Sequence, residues 1–387
     1  MNILVIGAGA IGCLVGGKLA HSGQQVTFGS RPRFVEAVRA QGLVLIDETG
    51  RHVIDAAHAA PSIDAAFQAT DRPFDLAILT VKSYDTATAV AELDAAAKAT
   101  SQPLPPLLSL QNGVGNEETI AAKLTCPVLA GVITTPVSVP APAVVQVDRP
   151  SYTLGLSLWG DPPASHSTRR TGSPTDTPLY RAQEALRTAG FRVRTYPHAQ
   201  GLKWTKLLMN MMGNALSAIL DEPPARLFLD PRLADLEIRA WREALHVMAR
   251  AGIPPVNLGS YPFGLLAPLI RYAPAAWLRP ILKPQVGKAR GSKMPSLHMD
   301  LHASRARVPS DAPAPPEIPA NRETPIRSEV EWLNGAVTRK GRELRVPTPV
   351  NQLLTDTLLR LFNEPAACAD YRHQPERLLA DLHQAQP

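Results

Sequence analysis

The feature that most constrains this chain is a glycine-rich segment close to residue 1. The apolar run Ile3 to Ile6 passes directly into it, and an apolar helical pattern follows. The segment consists of Gly7, Ala8, Gly9, Ala10, Ile11 and Gly12. This order predicts a buried strand, a tight turn and a helix, in which the glycines permit the turn, the approach of a pyrophosphate and close helix packing. Residues 1–23 therefore predict a dinucleotide site at a helix N-terminus. A glycine turn of purely structural use is the alternative.

A secretory signal peptide would also begin with a largely apolar segment. Here no basic residue follows Met1 directly, Lys18 interrupts the apolar run, and a second strand, Gln25 to Gly29, comes at once. These features are untypical of a signal peptide, so we assign the segment to the fold.

The residues after this second strand bear on which dinucleotide would bind. An NAD site usually has an acidic residue there for the ribose 2′-hydroxyl, but this chain has Arg31 and Arg33 and no carboxylate before Glu36. Guanidinium groups bind a phosphate through two parallel hydrogen bonds. We therefore expect NADP, bound through its 2′-phosphate. The alternative is that both arginines are ordinary surface residues.

The composition limits the class of protein. With 387 residues, 45% of them apolar, the chain is long enough for two domains with separate cores. A net charge of +6 fits an anionic cofactor and an acidic small substrate. The basic residues form no stripe interleaved with aromatic residues, so we expect no nucleic-acid binding.

The cysteines and the hydropathy pattern indicate the compartment. Cys13, Cys126 and Cys368 lie far apart and form no CxxC motif, which is typical of reduced thiols in the cytoplasm. No apolar run reaches the length of a membrane span. We therefore expect a cytoplasmic protein with no membrane partner. The sequence leaves the oligomeric state open, a homodimer included.

Two polar residues directly follow strands of the predicted sheet. Lys82 comes after the buried strand Asp75 to Val81, and Asn112 comes after the strand Leu107 to Gln111. Ligands of doubly wound folds bind at the carboxyl edge of the sheet, so both side chains are candidates for the site. Asn112 and Gly113 also form a common turn sequence, which is the alternative interpretation.

A change of pattern near residue 198 predicts two domains. Strand patterns dominate 1–198, which we assign to an α/β, Rossmann-type dinucleotide-binding domain, and helical patterns dominate 199–387, which we assign to an all-helical domain. Within these domains we expect a solvated loop at 161–178 and an exposed insertion at 303–325. The prolines of 262–284 predict short helices only.

The predicted long helix from Gly201 to Leu220 carries three polar residues. Lys206, Asn210 and Asn214 are spaced by four residues, so each is turned by about 40° from the last and they share one face. Burying them within an apolar helix without partners is costly, so the face predicts a ligand site. A solvent-facing polar stripe is the alternative.

Taken together, these motifs resemble the ketopantoate reductase (2-dehydropantoate 2-reductase) family. The resemblance rests on segments that occur in the family's order and span most of the chain. They are Gly7 to Gly12, Lys82, Gln111 to Gly113, the helix of Lys206, Asn210 and Asn214, Pro295 to Leu297, and Ser328 to Gly335.

The resemblance implies an NADPH-dependent reduction of a small 2-oxo acid, ketopantoate first. It implies that Lys206 is the general acid and that Glu329 is the active-site glutamate beside it. It further implies that Lys82 borders the cofactor and that Asn112 contacts both cofactor and substrate. The implied substrate ligands are Asn210, Asn214 and Ser296. An exposed Glu329 paired with Arg327 is the alternative for that residue.

This chain departs from the family pattern on the substrate side. Pro223 and Pro224 stand where many members have a further substrate-binding asparagine, and the segment 303–325 separates the serine and glutamate motifs. A bulkier or more apolar oxo substrate on the same fold therefore stays open, as does a regulatory protein that binds NADP(H) without turnover.

His298, Asp300 and His302 raise the question of a metal, because His residues four apart share a helix face. The family needs no metal, and the sequence offers no third strong ligand. We therefore expect no metal site.

Overall fold

The computed structural model describes residues 1–160, 176–259, 261–290, 293–306 and 327–384. The described chain divides into two compact units. The first comprises residues 1–203 and 257–261, and the second comprises residues 204–256 and 262–387. The division therefore falls five residues after the boundary expected from the sequence, within a helix.

The first unit contains twelve described strands. In chain order they are β1 (Asn2–Ile6), β2 (Gln25–Gly29), β3 (Leu43–Asp47), β4 (Gly50–Ile54), β5 (Ala57–Ala60), β6 (Leu76–Leu79), β7 (Leu107–Ser109), β8 (Val128–Ile133), β9 (Val137–Ala141), β10 (Val144–Val147), β11 (Thr153–Leu158) and β12 (Arg192–Thr195). The helices of the same unit are α1 (Ala10–His21), α2 (Pro32–Gln41), α3 (Ile63–Gln68), α4 (Thr86–Ala99), α5 (Asn116–Ala121) and α6 (Pro178–Thr188).

Eight strands form the main sheet, in the order β12-β11-β8-β7-β6-β1-β2-β5. The strands from β8 to β5 are parallel, whereas β11 is antiparallel to β8. Strand β1 is buried on both faces, because Ile3 and Val5 belong to one apolar cluster and Leu4 and Ile6 to another. The expected α/β class with a dinucleotide-type sheet is confirmed.

The two strands after α2 form a hairpin, since β3 pairs antiparallel with β4. The sequence did not indicate its further partners. Val144 of β10 pairs beside Val44 of β3, which makes a second sheet in the order β4-β3-β10-β9. The strand β5 and the helix α3 were also not expected.

The described part of the second unit consists of helices and connecting segments. Helix α7 (Ala199–Met211) contains the division between the units. It is followed by α8 (Asn214–Leu220), α9 (Pro224–Leu227), α10 (Pro231–Arg250), α11 (Phe263–Tyr272), α12 (Ala275–Arg290), α13 (Ser296–Ala306), α14 (Asn334–Leu344), α15 (Pro349–Asn363), α16 (Cys368–Tyr371) and α17 (Pro375–Gln384). Short 3₁₀ helices lie at Ser83–Asp85, Glu329–Trp332 and Pro365–Ala367. None of the described helices is long and apolar enough to span a membrane.

Helix α10 organises this unit through a carboxylate as well as through its apolar side. The two oxygens of Glu243 accept hydrogen bonds from the backbone N–H groups of Val350 (2.9 Å) and Asn351 (3.0 Å). These donors belong to the first turn of α15, where backbone N–H groups have no partner within the helix. Glu243 therefore fixes the start of α15 against α10.

The prediction of only short helices in 262–284 is wrong. Pro268 lies inside α11, and Pro280 and Pro284 lie inside α12, which is 16 residues long. All three prolines are exposed, so water can hydrogen-bond the carbonyls that they deprive of a helical donor. Arg242 supports the end of α11 by donating to the carbonyl oxygens of Ile270 and Ala273.

Two further boundaries need correction. Residues 303–306 of the expected insertion belong to α13, and residues 307–325 lie outside the described part. The loop expected at 161–178 likewise lies outside it as far as residue 175, and α6 already begins at Pro178.

Candidate active site

The glycine segment of the first unit forms the strand, turn and helix that the sequence predicts. Gly7 has a φ of +98°, a conformation that favours glycine, and its N–H donates to the carbonyl of Gly29 (3.1 Å). A Cβ added to Gly12 would lie 2.0 Å from the carbonyl oxygen of Gly7, so only glycine allows this approach. The hydroxyl of Thr80 donates to that same oxygen at 2.6 Å.

The start of α1 fits a phosphate group. A Cβ added to Gly9, the N-cap residue, would meet no atom within 4 Å, so the space beside it is open. No side chain caps this helix end, and its first turn has no acidic residue. The amide groups there therefore keep their capacity to bind an anion, which the helix dipole also favours.

Arg31 and Arg33 follow β2, the strand adjacent to β1. In the register of this pair Gly29 lies opposite Ile6, the residue before the glycine turn. Arg31 therefore follows two residues after the position that pairs with Ile6. Both arginine side chains are exposed and make no ion pair with the described residues. In folds of this type a residue near the end of the second strand contacts the adenosine ribose.

Lys82 and Asn112 follow the neighbouring strands β6 and β7, whose ends pair at Leu79 and Ser109. Both residues therefore lie at the carboxyl edge of the sheet, as expected. Asn112 has an exposed side chain, while its carbonyl oxygen accepts hydrogen bonds from Ser83 Oγ (2.9 Å) and Asn116 Nδ2 (3.0 Å). Its backbone is thus fixed at the end of β7.

A buried polar network holds these two edge segments together. Gln111 Nε2 donates to the carbonyl of Val81 (3.0 Å) and to the hydroxyl of Thr86 (2.8 Å). The same hydroxyl lies 2.9 Å from Asn116 Oδ1. The sequence analysis missed Ser83, Thr86 and Asn116 as positioning residues. The one feature of the sequence that could have indicated them is the recurrence of polar residues directly after two strands.

Lys203 and Glu117 form an ion pair inside the first unit. Lys203 Nζ lies 2.8 Å from Glu117 Oε1 and donates to the carbonyl of Gln111 at 2.7 Å, and the two side chains are only 2% and 0% exposed. Glu117 also lies in the first turn of α5, where the helix dipole favours a negative charge. The pair therefore fixes the backbone next to Asn112. The sequence analysis did not assign either residue a role.

In the second unit, Lys206 and Asn210 lie one turn apart on α7. From Gly201 to Met211 every residue is buried except Lys206, Met209 and Asn210, which are partly exposed. The two polar side chains thus share the accessible side of an otherwise buried helix, as expected from their spacing.

The expectation of one continuous helix to Leu220 is wrong. The helix ends at Met211 and a new one begins at Asn214, with Gly213 between them at a φ of +64°. A Cβ at position 213 would lie 2.9 Å from Pro224 Cβ, so the Pro223–Pro224 turn packs closely on this break. The argument from helical spacing therefore holds for Lys206 and Asn210 but not for Asn214.

The side chain of Asn214 is positioned by contacts with α13 rather than by helical spacing. Its Oδ1 accepts a hydrogen bond from the backbone N–H of Leu297 (3.2 Å), and its Nδ2 lies at 3.5 Å from Ser296 Oγ. Ser296 is the first residue of α13, and Asn214 is the first residue of α8. The structure therefore brings together two predicted substrate ligands from positions 82 residues apart.

Glu329 lies in the 3₁₀ helix Glu329–Trp332 and is only 4% exposed. The alternative of an exposed helix residue is therefore wrong. Ser328 accepts a hydrogen bond from the N–H of Val330 at the start of this turn, and α14 follows the turn. A buried glutamate must be stabilised by positive charge or hydrogen bonds.

Comparisons with known proteins agree with this architecture. The family model described as ketopantoate reductase PanE/ApbA matches residues 3–157, and the model of the C-terminal region of the same family matches residues 198–361. A 2-dehydropantoate 2-reductase from Pyrococcus horikoshii is 30% identical over 253 residues, which cover 65% of this chain and 75% of that protein.

Solved structures show the same fold. The crystal structure of a PanE/ApbA family ketopantoate reductase from Ralstonia eutropha JMP134 has a TM-score of 0.70 at 25% identity, covering 94% of this chain and 99% of the other. D-mandelate dehydrogenase in complex with NADH and anilino(oxo)acetate has a TM-score of 0.70 at 19% identity, with the same coverage of both chains.

A parallel sheet with an open glycine turn, followed by a helical unit, is the architecture of the oxidoreductases that these comparisons name. Within that class, the chain belongs to the ketopantoate reductase family.

Proposed function

We propose that this protein reduces 2-dehydropantoate to pantoate with NADPH, and that Lys206 is the general acid. The observation that carries the proposal is the accessible side of α7, where Lys206 and Asn210, together with Met209, are partly exposed on a helix that is otherwise buried from Gly201 to Met211. An ammonium and an amide four residues apart on that side can contact the same ligand.

The proposed chemistry assigns each group a task. Bound NADPH supplies a hydride to the C2 carbonyl of the oxo acid, which leaves an alkoxide. The ammonium of Lys206 stabilises this developing charge and donates the proton. The amides of Asn112, Asn210 and Asn214 and the hydroxyl of Ser296 bind the carboxylate and hydroxyl groups of the substrate. A buried carboxylate at Glu329 favours the charged form of the lysine.

The cofactor is assigned to the first unit. The amide groups at the start of α1 hold the pyrophosphate, with the open space beside Gly9 giving it access. Lys82 and Asn112 border the nicotinamide half from the carboxyl edge of β6 and β7. Arg31 and Arg33 bind the 2′-phosphate. Because the cysteines in the described chain are free thiols, we place the reaction in the cytoplasm.

A second oxo substrate, bulkier or more apolar than ketopantoate, is favoured by one observation. The Pro223–Pro224 turn packs against Gly213, the residue before Asn214. The family resemblance places a further substrate-binding asparagine at the position of these prolines. Two prolines supply no side-chain donor, so this part of the site binds a polar substrate less well.

The test is a comparison of kcat/KM for ketopantoate with that for larger and more apolar 2-oxo acids, followed through the loss of NADPH absorbance. We expect ketopantoate to give the highest value. A higher value for an apolar oxo acid would move the substrate assignment to that compound. No oxidation of NADPH with any oxo acid, at a measurable affinity for NADPH, would indicate a binding protein without turnover.

The cofactor assignment predicts a preference for NADPH over NADH of roughly tenfold or more, because a hydrogen bond to a charged group contributes about 1.5–3 kcal/mol. The double variant Arg31→Ala/Arg33→Ala should lose most of that preference through weaker NADPH binding, with NADH binding unchanged. Arg39→Ala, at the far end of α2, is the matched control. Equal dissociation constants of the wild-type protein for the two cofactors would contradict the assignment.

A further inference from the structure

Three side chains converge at one end of α8, outside the groups assigned to the reaction. Asp221 directly follows this helix in a left-handed conformation (φ +54°), and His298 and His302 lie one turn apart on α13. The Nε2 atoms of His298 and His302 lie 2.6 Å and 3.5 Å from the same oxygen, Asp221 Oδ1. One ligand atom from each of the three residues falls within 4.8 Å of the others.

This donor set is one that Zn²⁺ binds, and its three atoms lie within reach of one ion. Zn²⁺ binds imidazole nitrogen and carboxylate oxygen at about 2.0–2.2 Å, so two ligand atoms of a tetrahedral ion lie roughly 3.3 Å apart. The two distances from Asp221 Oδ1 bracket that value. Two His residues four apart on a helix are a common way of supplying two ligands to one ion.

The orientation of the Asp221 carboxylate is fixed by a neighbouring arginine. Arg372 Nε lies 2.9 Å from Asp221 Oδ2, which holds that oxygen and leaves Oδ1 directed at the histidines. The carboxylate is therefore held in a fixed orientation toward both imidazoles.

We propose that Asp221, His298 and His302 form a binding site for one Zn²⁺ ion or a similar late first-row divalent cation. His302 is 42% exposed, so solvent water can complete the coordination. The ion replaces the hydrogen bond between His298 and Asp221 and binds the neutral imidazoles. The sequence analysis had found no third ligand, because Asp221 lies 77 positions before His298.

The site has a consequence for the neighbouring substrate ligands. Asp221 follows α8, which begins at Asn214, and the histidines lie on α13, which begins at Ser296. An ion bound to both helices ties together the two elements that carry the Asn214 and Ser296 contact. Zinc should therefore raise the thermal stability of the second unit.

The experiment uses full-length protein without a histidine tag, treated with a chelator and titrated with Zn²⁺ by calorimetry. We expect one equivalent of zinc per chain, and an affinity at least tenfold weaker in His298→Ala, His302→Ala and Asp221→Asn. His246→Ala, which removes an exposed histidine of the same unit, is the matched control and should bind like the wild type. Co²⁺ should give the strong visible absorption of a four-coordinate ion.

The outcomes separate a metal site from a hydrogen-bonded contact between two helices. Circular dichroism and a melting curve of each variant in the absence of metal establish that it is folded, and His302→Gln replaces any variant that is not. Binding of zinc that is equally tight in His302→Ala and the wild type would overturn the proposal, as would the absence of stoichiometric binding by the wild type. Neither result depends on the substrate or on activity.

Discussion

Replacing Lys206 by alanine is expected to lower kcat by roughly 10²–10⁴-fold while the dissociation constant of NADPH changes little. The lysine belongs to the helical unit, whereas the groups assigned to the cofactor phosphates belong to the start of α1. Its contribution should therefore arise when charge develops on the substrate oxygen, and a modest rise in KM is also expected. Steady-state kinetics and a direct titration with NADPH measure the two quantities.

Lys340→Ala is the matched control for this variant. Lys340 lies in the same unit but on an exposed pair with Glu343, so its removal should leave kcat unchanged. A fall of less than about tenfold in folded Lys206→Ala protein would make Lys206 a structural or peripheral residue. The accessible side of α7 would then have to be given up as the catalytic surface.

Replacing Lys203 by methionine is expected to destabilise the first unit by about 3–5 kcal/mol, because it leaves the buried charge of Glu117 without its partner. The loss should appear as a fall of roughly 6–20 °C in the melting temperature of that unit. It should also weaken NADPH binding, since Lys203 holds the carbonyl of Gln111, next to Asn112. Calorimetry and a cofactor titration test the two effects.

An exposed ion pair supplies the comparison. Lys98 pairs with Asp94 at 2.5 Å, but its side chain is 75% exposed, so Lys98→Met should cost less than about 1 kcal/mol. The double variant Lys203→Met/Glu117→Leu should lose much less than the sum of the two single variants, because it removes both buried charges. Similar losses for Lys203→Met and Lys98→Met would contradict the structural role of the pair.

The parts of the fold that the sequence predicts well are those whose signal is local. The glycine turn could be predicted because the contacts that require glycine at positions 7 and 12 lie within the turn itself and with the end of one neighbouring strand. Helices α10 and α15 carry local signals of the same kind, since each has a long amphipathic pattern and a proline at its start.

The missed features depend on contacts between distant segments. The break at Gly213 is stabilised by close packing of Pro224, and the end of α11 is held by Arg242. The periodicity of apolar residues in a helix does not indicate either of these contacts, because Pro224 and Arg242 lie outside the segments that they contact.

The candidate site shows the same division. The spacing of Lys206 and Asn210 was sufficient to place them together, whereas Asn214 and Ser296 meet only through the packing of α8 on α13. The buried pair of Lys203 and Glu117 joins residues 86 positions apart, and a lysine in an apolar helix does not by itself indicate its partner. Such long-range polar contacts decide where the edge loops lie, and they require the three-dimensional structure.

The most direct test of the proposed function is the stoichiometry of the reaction with ketopantoate. Purified protein is mixed with NADPH and ketopantoate, and pantoate is quantified by mass spectrometry beside the NADPH consumed. We predict one pantoate formed for each NADPH oxidised by the wild type, and a rate lowered to the level predicted above in Lys206→Ala. Oxidation of NADPH without pantoate, or no oxidation in the presence of bound NADPH, would contradict the assignment of this protein as a ketopantoate reductase.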